Sequence, residues 1–333
     1  MLDPRIDDRF SHALILQPEV LLGKPLARCG PCFYYRAMIR THRFQAVLLL
    51  TLGLAVALLG CDSGSGGTGG TAGSGGSGGS GGSNGGVLRI LITNDDGVGA
   101  DGIDAIVEAL RDDPNSEIIV SAPATQQSST GDSTTETPPP LEATETTTAS
   151  GYPATAVMGF PADSVIYGLE NLYPDAPPHV VLSGINEGQN VGLWNGTLLS
   201  QISGTVGAAK TAACLGVPAL ASSQGEGDVI DYDSGVAAVL AWLEANRADL
   251  LAGEVSLENI TSINIPSCDT GSIRGAVEVP LGTEKPDDLV LTGPQDCEST
   301  LENPGDDIEG FFNGFTTITP VPSNSSMTCD KLN

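Results

Sequence analysis

Apolar and polar positions alternate with two periods between residue 87 and about residue 325. A β-prone run, Ile90-Leu91-Ile92-Thr93, stops abruptly at Asn94-Asp95-Asp96-Gly97. From Gly102 the period changes, and Ile103, Ile106, Val107 and Leu110 fall on one helical face, which predicts a helix near 102–112. The same switch recurs downstream. A strand over Glu117 to Val120 leads into a Ser-, Thr- and Pro-rich loop that runs to about residue 150 with little to bury. A short strand over Thr155 to Met158 precedes a helix from Pro161 to Leu169, and a strand over Val180 to Leu182 enters Ser183-Gly184-Ile185-Asn186. Then come a helix of small residues from Gly204 to Leu215, a strand over Pro218 to Ala221, and an amphipathic helix over Ser234 to Asn246. Strands and helices that alternate through short turns predict an α/β fold with a mainly parallel sheet covered on both faces. Beyond residue 260, strands over Ser262 to Ile265, Ala276 to Val279 and Phe315 to Ile318 border an acidic Gly/Pro-rich stretch over 282–312. That tail reads as antiparallel strands or a hairpin arm added to the main sheet.

The first 86 residues follow another logic. Residues 1–37 carry no targeting pattern and read as an over-extended start. Residues 38–60 have the layout of a lipoprotein signal peptide: Arg40 and Arg43, an apolar core from Ala46 to Leu59, and Leu58-Leu59-Gly60-Cys61 at its end. Cys61 is then the lipidation site. The apolar run is shorter than the ~20 residues of a spanning helix, so cleavage fits it better than a permanent span. Cys29-Gly-Pro-Cys32 has redox-motif spacing, but no strand precedes it. Residues 61–86 form a Gly/Ser-rich tether with a random-coil reach of roughly 25–30 Å. A single domain over 87–325 remains, on a chain expected at the cell envelope, periplasmic or on the outer surface, meeting the membrane through the lipid anchor only.

Seven of the 14 basic residues, but only four of the 41 acidic ones, lie in residues 1–60. The rest is strongly acidic, which excludes nucleic-acid polymers as partners and leaves small anions that a metal and backbone N–H groups can neutralise. Four cysteines follow Cys61. Cys214, in the apolar pattern GAAKTAACLG, reads as a buried inert thiol. Of the other three, Cys268 and Cys297 are the expected disulfide in an oxidising compartment, with Cys329 left over.

The chemistry gathers at strand ends. Adjacent carboxylates such as Asp95 and Asp96 are costly to bury unless something positive lies between them. At the C-terminal end of a strand in an open α/β sheet they suggest a divalent metal with oxygen ligands. The alternative is a strand-to-helix turn in which Asp96 accepts backbone N–H bonds. The loop from Ser121 to Gly131 brings hydroxyls, the loop from Ser183 to Asn190 brings amides and glycines, and Ser203-Gly204-Thr205 opens a helix whose N-terminus favours phosphate. Lys210 reads as an exposed helix residue without a functional role.

In order, ILITNDDGVGADGI, VSAPATQQSSTG, MGFPADSV, VVLSGINEGQNVG, SGTVGAAK and GVPALA, with INIP and GFTTITPV later, resemble the SurE-like survival nucleotidases. The resemblance covers nearly all of residues 87–323. It implies a Rossmann-like three-layer fold with a C-terminal β-hairpin extension, exchanged between subunits of a homodimer or homotetramer. It also implies hydrolysis of nucleoside 5′- and 3′-monophosphates or other small phosphomonoesters with Mg²⁺ or Mn²⁺. Carried over, the metal ligands are Asp95, Asp96, Ser128 and Asn186, with Asp95 and Asp96 catalytic and Asp95 the candidate base for the attacking water. Asn94 and Gly97 shape the first loop, while Ser183, Gly184, Asn190, Ser203, Gly204 and Thr205 bind substrate. Three departures spare the ligands and bear on pocket shape and base preference: Gly99-Ala100-Asp101 for His-Ala-Pro, Ser128-Ser129 for Ser-Gly, and Gly159-Phe160-Pro161 for Gly-Thr-Pro. The competing reading is a catalytically degenerate envelope lipoprotein that binds nucleotides or phosphate without turnover.

Overall fold

The computed structural model describes residues 86–136, 140–194, 196–284 and 293–325. The expected start, signal peptide and lipidation site at Cys61, nearly all of the tether, and Cys329 lie outside those residues. The first strand, β1 (Leu88–Thr93), carries Leu88, Ile90 and Ile92 on one face and Leu91 at the middle of the other, and both faces are covered. Ile90 and Ile92 join the cluster beneath one helical layer, and Leu91 joins the other. Helix α1 (Asp101–Leu110) buries the predicted stripe of Ile103, Ile106, Val107 and Leu110. Strand β2 (Ser116–Pro123) runs three residues past its apolar signal. The polar loop then contains an edge strand, β3 (Ala143–Thr147), that the sequence pattern does not show. Its Thr- and Glu-rich residues are mostly exposed, so no alternation marks them.

Strand β4 (Pro153–Val157) leads through Gly159 and Phe160 into α2 (Pro161–Asn171). Pro161 sits at the first helical position, and Asp163 Oδ2 accepts the Phe160 N–H at 2.8 Å. Strand β5 (Val180–Glu187) continues beyond Leu182 through the whole Ser-Gly-Ile-Asn loop. A short ribbon, β6 (Leu193–Trp194) with β7 (Thr197–Leu198), and one turn, α3 (Leu199–Ile202), lead to α4 (Gly204–Cys214). After β8 (Ala219–Gln224), α5 (Tyr232–Ala252) is longer at both ends than the predicted amphipathic stretch: Asp231 caps its start, and Leu250 extends the buried row of Gly235, Val239 and Leu243. Then follow β9 (Asn259–Ile265), β10 (Ala276–Glu278), α6 (Asp307–Phe312) and β11 (Thr316–Pro322). Helix α6 was hidden in the acidic stretch; Asp306 caps it and Ile308 and Phe311 are buried.

The nine strands lie in the order β10-β11-β9-β8-β5-β1-β2-β4-β3. From β9 to β4 every neighbouring pair is parallel, and β3 and β11 run against them. Helices α1 and α5 cover one face, and α2 and α4 cover the other. The tail supplies the expected antiparallel strand, since β11 runs against β9 in the main sheet. β10 pairs with β11 in parallel, since the chain makes a long excursion through α6 between them rather than a tight turn. No antiparallel hairpin joins β10 to β11. Cys268 and Cys297 form the expected disulfide. Cys214 is also disulfide-bonded, which corrects its reading as an inert thiol. None of the described helices is long and apolar enough to cross a membrane.

Candidate active site

The sheet order places β1 between β2 and β5, so the chain leaves the C-terminal ends of β1 and β5 toward opposite sides. That divergence opens the crevice in which open α/β sheets bind ligands. Asp95 and Asp96 follow β1 at one lip, and Asn186 lies near the end of β5 at the other. The buried Asn94 side chain braces the turn. Its Nδ2 donates to Gly97 O at 2.9 Å, and its Oδ1 accepts from Gly97 N at 3.2 Å. Gly97 has a φ of 104°, a left-handed value that glycine adopts without penalty.

Asp95 is 2% exposed and points at the start of α4. Thr205 Oγ1 donates to its Oδ1 at 2.6 Å, and the backbone N–H groups of Gly204 and Thr205 face the same carboxylate. A Cβ on Gly204 would stand 2.8 Å from Asp95 Cβ, so only glycine allows this approach. Ser203 Oγ accepts from Val206 N at 3.2 Å and caps the helix. Thus Ser203 and Thr205, expected to line a phosphate pocket, hold the helix start and Asp95 in this structure. Burial pushes the Asp95 carboxyl up, against the pull of Thr205. Asp96 is half-buried and accepts the Glu187 N–H through Oδ2 at 3.0 Å. Burial and then the neighbouring Asp95 charge push its pKa from 3.8 to about 7. Among the described residues, no basic side chain is a cause of either shift.

The remaining loops close around this pair. Asp95 O accepts Gln127 N at 2.6 Å, which seats the exposed Ser128 loop beside β1. Ser128 Oγ accepts from Gln126 Nε2 at 2.5 Å. Farther along, Gly131 N donates to Ile202 O at 2.9 Å and ties the loop to α3. Asn186 Nδ2 donates to Gly188 O at 2.5 Å, which leaves its Oδ1 for a cation. Asn190, 8% exposed, is bound to Ser223 and Asn264. Ser183 and Gly184 lie inside β5, where the Ser183 hydroxyl is enclosed without a partner and in register with Thr93.

Among the described residues no three His, Cys, Asp or Glu side chains cluster as a metal site. The donors here are instead two carboxylates, a hydroxyl and an amide oxygen, a set suited to a hard cation. Two uncompensated carboxylates side by side fit such an ion. Lys210 differs from its expected exposed position. It is 3% exposed, Nζ donates to Ser200 O at 2.9 Å, and burial lowers its pKa against the charge of Asp132. Sequence reasoning also missed Tyr232, whose phenol is raised by burial and then by Glu187, Asp96 and Asp101. Its ring packs against the start of α1 at Gly102. Its distance from β1 in sequence gave no signal.

A mainly parallel α/β sheet with carboxylates and a helix N-terminus at its switch point defines an open-sheet protein of the ligand-binding, Rossmann-like class. Residues 90–288 match the family model described as survival protein SurE. The chain belongs to the SurE family. It is 38% identical over 192 residues to a 5′-nucleotidase SurE of Methanopyrus kandleri, covering 55% of this chain and 67% of that protein. To a 5′-nucleotidase SurE of Paramagnetospirillum magneticum it is 33% identical over 251 residues, covering 70% and 89%. The crystal structure of a SurE protein from Aquifex aeolicus superposes with a TM-score of 0.55 at 26% identity, covering 71% of this chain and 93% of that one.

Proposed function

We propose that the chain is a metal-dependent 5′-nucleotidase that hydrolyses nucleoside monophosphates to nucleoside and phosphate, accepting 3′- as well as 5′-monoesters. The observation that carries this reading is the adjacent Asp95–Asp96 pair at the β1/β5 switch point, in a chain alignable with 5′-nucleotidases over most of their length. Asp95, Asp96, Ser128 and Asn186 would hold Mg²⁺ or Mn²⁺. Bound there, the ion supplies charge stabilisation to the phosphoryl oxygens and acidifies water.

The chain's own groups do the rest. Thr205 fixes the Asp95 carboxylate through Oδ1, and Asp95 so held would orient the attacking water. One Nδ2 hydrogen of Asn190 is engaged by Ser223, and the other remains for a phosphate oxygen. The first N–H groups of α4 add positive potential where charge develops on the equatorial oxygens.

The decisive assay measures phosphate release from 5′-AMP, 3′-AMP and p-nitrophenyl phosphate with Mn²⁺, Mg²⁺ or EDTA. Asp95→Ala and Asp96→Ala should each lower turnover at least ~100-fold, in line with loss of a metal ligand. Equal rates in EDTA and metal, or unchanged activity in both variants, would refute the assignment. The same reading places the enzyme in the envelope through Cys61. The Cys268–Cys297 and Cys214 disulfides support an oxidising compartment. Cys61→Ser should release the protein into the soluble fraction, and light scattering should report a homodimer or homotetramer.

A further inference from the structure

At the C-terminal end of the sheet, Asn186 of β5, Ser223 of β8 and Asn264 of β9 lie in one register row. Asn264 is fully buried between Ile263 and Ile265, in a parallel strand where apolar residues are the rule. A buried amide there is unfavourable unless its polar atoms are satisfied. They are satisfied by a loop. Asn264 Oδ1 accepts the backbone N–H of Asn190 at 2.7 Å, and its Nδ2 donates to Ser262 Oγ at 3.3 Å. Ser223 Oγ accepts from Asn190 Nδ2 at 2.8 Å. The segment that leaves the sheet at Asn186 is therefore pulled back onto it at Asn190 by two buried bonds.

We infer that Asn264 is a positioning residue: with Ser223 it fixes Asn190 so that the amide's second N–H faces the substrate phosphate. The inference rests on the nucleotidase reading and deepens it. Asn264 does not touch the reacting atoms. Asn186 has separate anchors, its own bond to Gly188 O and its pairing with Ser223. Loss of Asn264 should therefore weaken phosphate capture and leave metal activation alone.

The experiment uses the full chain and compares wild type with Asn264→Ala, Asn264→Asp and Ser223→Ala. Orphaning one buried N–H predicts a rise on the order of tenfold in both KM for p-nitrophenyl phosphate and Ki for inorganic phosphate. In Asn264→Ala, kcat and the Mn²⁺ activation constant should stay within about twofold. Asn264→Asp keeps an oxygen for the Asn190 N–H and should recover most of the lost affinity. If Asn264→Ala does not fold, Ser223→Ala decides, with a smaller rise in the same two constants. An unchanged KM and Ki would overturn the inference, and so would an equal loss of metal activation. A wild-type protein inactive on phosphomonoesters would instead sink the nucleotidase reading itself.

Discussion

Replacing Asp96 by Asn should stabilise the metal-free protein while destroying its activity. Asp96 releases its proton near pH 4 when unfolded but only at about 7 in the fold, because burial and the Asp95 charge disfavour the carboxylate. Between those values the folded state binds more protons than the unfolded one. Stability must then fall as pH rises from about 4 to about 7 and level off above that. The gap of about three pH units corresponds to roughly 4 kcal/mol, and solvent screening of this half-buried group reduces it to about 2 kcal/mol. Asn keeps an oxygen for the Glu187 N–H and carries no charge to bury. In EDTA, urea unfolding should show the two proteins alike near pH 4 and Asp96→Asn more stable by about 2 kcal/mol at pH 8. Saturating Mn²⁺ should reverse the order, since only wild type retains both carboxylates to gain from binding. A variant no more stable than wild type at pH 8 in EDTA would refute the argument, as would a gap unchanged at pH 4.5.

Three further outcomes are expected. Ser129 holds a φ of 65° where glycine is favoured, so Ser129→Gly should raise the urea-derived stability by about 0.5–1 kcal/mol. Lys210→Met removes the bond to Ser200 O and the charge near Asp132, and should cost about 1–3 kcal/mol in the same measurement with little change in KM. Cys268→Ser should lower stability by about 3–4 kcal/mol, the chain-entropy value for a loop of this length, and reduction of the wild type, which also opens the Cys214 disulfide, should cost more.

Elements buried on both faces or along one clean stripe could be read directly from the chain. β1 and α1 were legible because Ile90, Leu91 and Ile92, then Ile103, Ile106 and Val107, switch from a run to a period. β3 was not, since an exposed edge strand has no buried face to mark it. Helix α4 misled in another way: every residue from Gly204 to Ala213 is buried, so no polar face showed that Lys210 points inward. At the site, the adjacency of Asp95 and Asp96 was readable. The attachment of Asp95 to Thr205 and of Asp96 to the Glu187 N–H was not. The first joins residues 110 positions apart, and the second uses a backbone group that no side-chain motif reveals.

The disulfide between Cys268 and Cys297 bridges a sequence separation of 29 residues, with β10 inside the bridge and α6 and β11 beyond it. A protease that cuts once within that stretch therefore does not divide the molecule. The nicked chain should run as one band on a non-reducing gel and as two after thiol treatment, with β11 still paired to β9 before reduction. The covalent link thus keeps the terminal strand attached after a single break between the two cysteines.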